Sequence, residues 1–317
     1  MIRLGIIGLG TIYEKYLVVL RQMKSEYELV AVCDTNHARL IEQEKNKINQ
    51  VCRFYTSVEE LLLDNQVESV MIATPPKTHY SIAKICLEAG KDVLLEKPAV
   101  TQLSQLEELY CIANEKQCLL HIAYHAAYAS DLEWYLEHRE VFGNIRKIVC
   151  RFFDPYMTEK GTIFEEKTSL CGSFLDSAVN ELSVCSRITD LTRLSKVFSV
   201  EQRIHEEDPY SVYASETRYV SNLLEVQLIT GWNRGINHKE TILYLKNLEN
   251  YIRLDHSKKM VFLGKNGKEI KLWGSEEEDR LVAQYMRVFR EFQHAKEYQK
   301  DNRDISVEIH KLLFENY

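Results

Sequence analysis

The chain opens on an apolar run, Met1-Ile2-Arg3-Leu4-Gly5-Ile6-Ile7, that reads as a buried parallel strand, and Gly8-Leu9-Gly10-Thr11-Ile12-Tyr13 carries it directly into a helical pattern. Ile12, Tyr16, Leu20 and Met23 recur at helical spacing, so one helix face packs on a sheet while the helix start presents its amides. Leu29 to Cys33 forms a second strand that ends at Asp34. Val67 to Ala73 forms a third, stopped by Thr74-Pro75-Pro76 and followed by a helix from Tyr80 to Ala89 that Gly90 closes. Asp92 to Leu95 then delivers Glu96-Lys97-Pro98, and a helix from Leu103 to Lys116 leads to a strand from Cys118 to Ile122. Such alternation predicts a doubly wound α/β sheet with parallel strands. Ligands of these sheets bind outside the carboxyl ends of the strands, so Gly8, Asp34, Thr74 and Lys97 are expected on one rim.

The second half changes character. Phe142 to Val149 reads as a turn opening a strand, and Val212 to Asn233 and Ile242 to Lys271 supply further strand patterns. Asp279 to Gln293 reads as a long amphipathic helix, with Lys296 to Arg303 a solvated connection after it. Within Gly172 to Ser183, Leu175, Val179, Leu182 and Ile188 mark one helical face and Asp176, Asn180, Ser183 and Arg187 another. The polar face is either a solvated stripe or a ligand-binding one. Trp232 suits a sugar floor, but its alternating strand favours a core or interface role, and it is left out of the site.

The glycine turn and Asp34 together carry the first chemistry. Gly8, Gly10, Thr11 and Ile12 offer backbone amides to a dinucleotide pyrophosphate, and Asp34 accepts from an adenosine ribose while repelling a 2′-phosphate. NAD is therefore expected in preference to NADP. Tyr13 occupies the third fingerprint position, where a small residue is usual, so the helix must sit back or turn the ring outward.

Composition narrows the class. A length of 317 residues suits two domains, and 45% hydrophobic residues give ample core. A formal charge of −7 without a basic stripe argues against nucleic acid. No apolar run reaches a membrane span, and the immediate first strand leaves no room for a secretory leader, so a cytoplasmic location is expected. The 8 cysteines show no C-x-x-C pair, and Cys33, Cys86, Cys150 and Cys185 lie in apolar contexts typical of buried thiols; neither zinc nor disulfides are expected.

Ala73-Thr74-Pro75-Pro76 with His79, then Ala89-Gly90-Lys91 and Glu96-Lys97-Pro98, resembles the Gfo/Idh/MocA oxidoreductase family over nearly the whole chain. The resemblance implies a Rossmann domain over residues 1–122 and a substrate-binding and oligomerisation α/β domain over 123–317 with an open, mostly antiparallel sheet. It also implies NAD(P)-dependent chemistry on sugars or polyols, homodimers or homotetramers, and a cis bond before Pro98. Thr74, Pro75, His79, Glu96 and Lys97 then join the cofactor site, and Lys97 also reaches substrate. Family members usually carry a histidine as proton acceptor where this chain has Asn180, and an amide cannot titrate.

The segment Asp176 to Ser183 is similar to the L-arabinose and D-galactose 1-dehydrogenase branch, which pairs aspartate with asparagine there, and Tyr124-His125-Ala126-Ala127-Tyr128 resembles that branch in placing a histidine beside the site. On this footing Lys97, Asp176 and Asn180 are the catalytic candidates. Lys97, His125, Asp176 and Asn180 contact substrate, and aldose C1 oxidation to a lactone is the favoured reaction. Whether Lys97 or Asp176 of this pair takes the proton stays open: an ordinary aspartate, with a pKa near ~3.9, is a poor base unless burial raises it, a neighbouring lysine would lower it, and His125 is a further candidate. An inositol or polyol dehydrogenase is the alternative enzyme, and a sugar- or dinucleotide-sensing regulator the alternative without turnover.

Overall fold

The computed structural model describes residues 1–45, 52–274 and 279–315, which cluster into two compact units. The first comprises Met1–Ala123 with Tyr285–Val307, the second Tyr124–Gln284 with Glu308–Tyr317.

In the first unit, strands and helices alternate as β1 (Ile2–Ile7), α1 (Tyr13–Gln22), β2 (Tyr27–Cys33), α2 (His37–Lys45), β3 (Arg53–Tyr55), α3 (Val58–Leu62), β4 (Ser69–Ile72), α4 (Pro76–Glu88), β5 (Asp92–Glu96), α5 (Leu103–Lys116) and β6 (Leu120–Ala123). All strands pair in parallel in the order β3-β2-β1-β4-β5-β6, so the order reverses at β1 and β4. That reversal opens the crevice where dinucleotides bind in such sheets. Strands β1, β2, β4 and β5 are apolar because helices cover both sheet faces, and Ile6, Val32, Met71 and Leu94 are fully buried.

The second unit holds α6 (Ser130–His138), β7 (Ile145–Asp154), α7 (Val179–Ile188), β8 (Ser195–Arg203), β9 (Val212–Val220), β10 (Glu225–Trp232), β11 (His238–Leu245), β12 (Tyr251–Asp255), β13 (Met260–Lys265) and β14 (Lys268–Gly274). Its eight strands run β14-β13-β12-β11-β7-β10-β9-β8, antiparallel except where β7 meets β10. The two sheets form the α/β architecture expected from the patterning. One face of the second sheet packs on helices, with Ile148, Leu228 and Thr217 buried under them. The other bears ion pairs such as Arg151–Glu240 at 2.9 Å and Arg253–Glu269 at 2.7 Å.

Helices α8 (Arg280–Tyr298) and α9 (Arg303–Phe314) end the chain. The helix predicted over Asp279 to Gln293 runs on to Tyr298, and Lys296 is not part of a solvated connection. Its ammonium pairs with Asp92 and donates to Ser69 Oγ at 2.8 Å, at the start of β5 and β4 in the first unit. Linear charge counting misses this because the partners lie far away in sequence. Among the described residues, no helix is long and apolar enough to cross a membrane.

Candidate active site

The first unit builds a rim at the carboxyl ends of β1, β2, β4 and β5. Gly8 follows β1 with φ +98°, and a Cβ built there would lie 2.7 Å from the Ala73 carbonyl oxygen. The turn therefore requires glycine, both for its left-handed backbone and for the approach of the β4 end. At Gly10 a Cβ would meet nothing within 4 Å, so the turn opens towards the start of α1. Ile12 caps that helix without a side-chain hydrogen bond, leaving first-turn amides for an anion. Tyr13 does not turn its ring outward: it is buried, and burial pushes its phenol pKa up.

Asp34 ends β2 and is only 7% exposed. Its Oδ2 accepts from the Leu9 N–H at 2.8 Å and its Oδ1 from the Asn36 N–H at 2.8 Å, which locks the carboxylate onto the glycine turn. Arg39 of α2 also reaches Oδ2, at 3.1 Å, from a side chain 49% exposed.

The Glu96-Lys97-Pro98 segment is held from two sides. Glu96 is buried, and its Oε1 accepts from the Tyr16 hydroxyl and, at 2.9 Å, from the Tyr285 hydroxyl. Its Oε2 accepts from the Lys97 backbone N–H at 2.9 Å. Burial raises the Glu96 pKa, opposed by the neighbouring Lys97 charge and the tyrosine bonds. The Lys97–Pro98 bond is cis, as the resemblance implied. His79, 1% exposed in the first turn of α4, sets Nδ1 2.8 Å from the Pro98 carbonyl oxygen and Nε2 2.7 Å from that of Thr74. It thereby ties the loop after β4 to the loop after β5. Burial lowers its pKa to about 4 despite those two carbonyls, so near neutrality the ring carries one N–H, which donates to one of them, while the other nitrogen faces its carbonyl without a proton. Thr74, in the loop bonded to His79, also takes the Thr78 hydroxyl on its Oγ1 at 2.8 Å, and the exposed Pro75 caps α4. His79 and Glu96 thus act on the rim through backbone, whereas Lys97 is partly exposed.

In the second unit the polar stripe is buried, not solvated: Asp176, Asn180 and Ser183 are all below one-tenth exposed. Phe174–Ala178 forms a π-helical turn ahead of α7, a local widening that strict helical periodicity does not foretell. Asn180 Nδ2 donates to the Asp176 carbonyl oxygen at 3.1 Å. Its Oδ1 is therefore turned the other way and has no hydrogen-bond partner among the described residues. Next to it, Glu181 is fully buried under the sheet, and desolvation holds its pKa well above the usual carboxylate range.

His125 begins a 3-10 turn, His125–Tyr128, that packs along α7, and its Nδ1 lies 3.0 Å from Gln284 Oε1. Asp154, Tyr156 and Lys239 gather near Asp176 without having been singled out from sequence. Lys239 pairs with Asp154 at 2.6 Å; burial pulls its pKa down, opposed chiefly by the Asp154 carboxylate, and the charge of Asp176 bears on both Lys239 and Tyr156. Trp232 stands opposite Asp154 in the β7–β10 register, its ring 5.6 Å from that of Tyr156, and its buried Nε1 has no acceptor among the described residues.

The family model for GFO_IDH_MocA, described as an oxidoreductase family with NAD-binding Rossmann fold, matches residues 2–124. The match to this family therefore covers the first unit up to Ala123 and stops at the start of the second. The chain is 29% identical to mouse trans-1,2-dihydrobenzene-1,2-diol dehydrogenase over 65% of its own length and 61% of that enzyme. It is 43% identical to an uncharacterised oxidoreductase of Synechocystis over 24% of this chain and 20% of that protein. It thus spans less than two thirds of the curated relatives it matches.

Among solved structures, a 3-ketoreductase from Actinomadura kijaniata in complex with NADP and TDP-benzene superimposes with TM-score 0.81 at 19% identity, covering 98% of this chain and 95% of that one. UDP-N-acetylglucosamine 3-dehydrogenase from Acidithiobacillus ferrooxidans gives TM-score 0.75 at 17% identity, with coverage of 98% and 95%. The likeness of fold to these structures thus covers 98% of this chain. The arabinose and galactose branch is not singled out by these relatives. The open glycine turn, the uncapped α1 and the fixed Asp34 fit a dinucleotide: Gly8 to Ile12 would hold the pyrophosphate and Asp34 a ribose.

Proposed function

We propose that this chain is an NAD(P)-dependent dehydrogenase that transfers a hydride between nicotinamide and a ring carbinol of a monosaccharide or related polyol, with aldose C1 oxidation to the lactone as the favoured case. The observation that carries this reading is the anchoring of Lys97, whose backbone is fixed by buried Glu96 and whose following carbonyl is met by His79. An ammonium borne on a backbone so held at a dinucleotide rim suits stabilisation of the oxyanion that develops at the carbinol oxygen. When bound, nicotinamide takes or supplies the hydride. Asp176 accepts or relays the hydroxyl proton, Asn180 Oδ1 accepts from a sugar hydroxyl, and His125 contacts the same substrate. The names of the relatives, a diol dehydrogenase, a 3-ketoreductase and a UDP-N-acetylglucosamine 3-dehydrogenase, support a ring carbinol.

Asp34 favours NAD, although Arg39 bonded to it gives a 2′-phosphate a cation to meet. The same reading has the protein acting in the cytoplasm as a homodimer or homotetramer. The second sheet's ion-paired face, which its own unit leaves uncovered, is the surface suited to a second copy. A regulator that binds ligand without turnover is the second reading, and it rests on Asn180, which cannot titrate.

Screening aldoses, inositols and polyols for reduction of NAD and of NADP decides between the two. Turnover that Asp176→Ala abolishes supports the dehydrogenase, whereas dinucleotide binding without turnover on any of these substrates transfers the case to the regulator.

A further inference from the structure

We infer that Trp232 and Asp154 form a ligand subsite within the second unit, in which the indole N–H donates to one oxygen of a sugar or polyol ring and the carboxylate accepts from a neighbouring hydroxyl. The inference rests on the proposed function for the kind of ligand, a hydroxylated ring, and not for turnover.

The donor is the starting observation. Trp232 is 2% exposed, and its Nε1 has no acceptor among the described residues. A buried indole N–H usually finds a partner, because without one it loses its bond to water and gains none. Phenylalanine would fill much of the same volume without that penalty. Elsewhere on this sheet face polar groups are matched: two residues back along β10, the Thr230 hydroxyl bonds that of Ser215 at 2.7 Å and donates to Ser173 Oγ at 3.3 Å.

The acceptor stands beside it. Asp154 ends β7 opposite Trp232, which ends β10, and paired strands lie about 5 Å apart, so the two side chains leave the same face side by side. Lys239 Nζ donates to Asp154 Oδ1 at 2.6 Å, whereas Oδ2 takes no hydrogen bond among the described residues. The ammonium favours the charged carboxylate, and a pair so neutralised suits an uncharged hydroxyl better than an anion.

Both groups are held. The Asn233 N–H donates to the Asp154 carbonyl at 2.9 Å and the Met157 N–H to the Asn233 carbonyl at 3.0 Å, which ties together the loops after β7 and β10. The Tyr156 ring meets the indole edge to face at 5.6 Å and is itself partly exposed, giving this corner a side towards solvent. Ser173 seats the π-helical turn of Asp176 on β10, and the charge of Asp176 bears on Tyr156 and Lys239. A ring hydroxyl both donates and accepts, so a fixed donor next to a fixed acceptor reads two adjacent oxygens of one ring.

The test reads the indole directly. The chain has 3 tryptophans, so the 15N-labelled protein gives one indole N–H signal for each, and Trp134→Phe and Trp273→Phe assign that of Trp232 by elimination. D-glucose, D-galactose, L-arabinose and myo-inositol are titrated with and without NADH. A ring that binds is expected to move the Trp232 signal. Its Kd is expected to rise roughly 2–13-fold in Trp232→Phe and roughly 10–150-fold in Asp154→Asn, the worth of a neutral and of a charge-assisted hydrogen bond. The wild-type signal needs no variant at the subsite, so a folding defect in either does not blunt the test. Calorimetric binding of a ring with the Trp232 signal unmoved, or with Kd unchanged in Trp232→Phe, overturns the subsite and leaves the proposed function standing. A signal moved by inorganic phosphate and by none of the rings assigns the donor to an anion and overturns it too. Failure of every ring to bind overturns the ligand class of the proposed function and this subsite with it.

Discussion

Replacing Arg39 by alanine separates the two charges that meet at the ribose end of the cofactor rim. Asp34 cannot retreat, because both its oxygens take backbone N–H bonds, so a 2′-phosphate arriving there faces a fixed negative charge. Two unit charges about 5 Å apart interact by about 3 kcal/mol at an effective dielectric of 20. Arg39 supplies an opposing interaction of similar size, reduced by its 49% exposure. Removing it is therefore expected to cost NADPH about 1.5–3 kcal/mol, the worth of a hydrogen bond to a charged group, or roughly 10–150-fold in Kd. NADH should change less than about threefold, since Asp34 stays in place to accept from the 2′-hydroxyl. Fluorescence titration of both reduced dinucleotides measures this without any knowledge of the substrate. Equal losses for NADH and NADPH, or none for either, refute the assignment of Arg39 to the 2′ position.

Gly8→Ala should destabilise the fold by at least about 1–2 kcal/mol from the left-handed backbone alone, before the 2.7 Å approach to Ala73 is counted, and should weaken dinucleotide binding. Unchanged melting and unchanged dinucleotide affinity would sink the account of the turn. His79 and His121 are both lowered to about 4 by burial, so between that value and about 6.5 the unfolded chain binds more protons than the folded one. Their contribution to stability is complete above about pH 6.5 and is lost as pH falls towards 4, at up to about 1.4 kcal/mol per pH unit for each. Urea unfolding at stepped pH should show His121→Leu with a shallower acid slope than the wild type; an identical slope contradicts the assignment.

Much of the first unit was legible because parallel strands buried on both faces leave continuous apolar runs, and glycine, proline and acidic residues punctuate their ends. Asp34 and Lys97 could be placed from strand boundaries alone. Tyr16 and Tyr285 could not be paired with Glu96, since their hydroxyl bonds join α1 and α8 to the end of β5 across long stretches of chain. The stripe Asp176, Asn180 and Ser183 was visible as a pattern, but whether water or protein covers a polar face depends on tertiary packing. The π-helical turn had no signature in spacing, and Gln284 read only as one polar position on an amphipathic helix.

The buried polar groups around Lys97 argue for function over mere stability. Enclosing the Glu96 carboxyl raises its pKa, so water is the more favourable environment for its charge, and a rim built only to close a turn needs no such group. What Glu96 does provide is direction, because its Oε2 fixes the Lys97 N–H while His79 meets the carbonyl of the next residue. The backbone on both sides of the lysine is thereby held, and the ammonium at the end of a flexible stem starts from a defined point. Asn180 follows the same logic in the second unit, where its amide bond to the Asp176 carbonyl leaves the side chain one orientation and one acceptor to show.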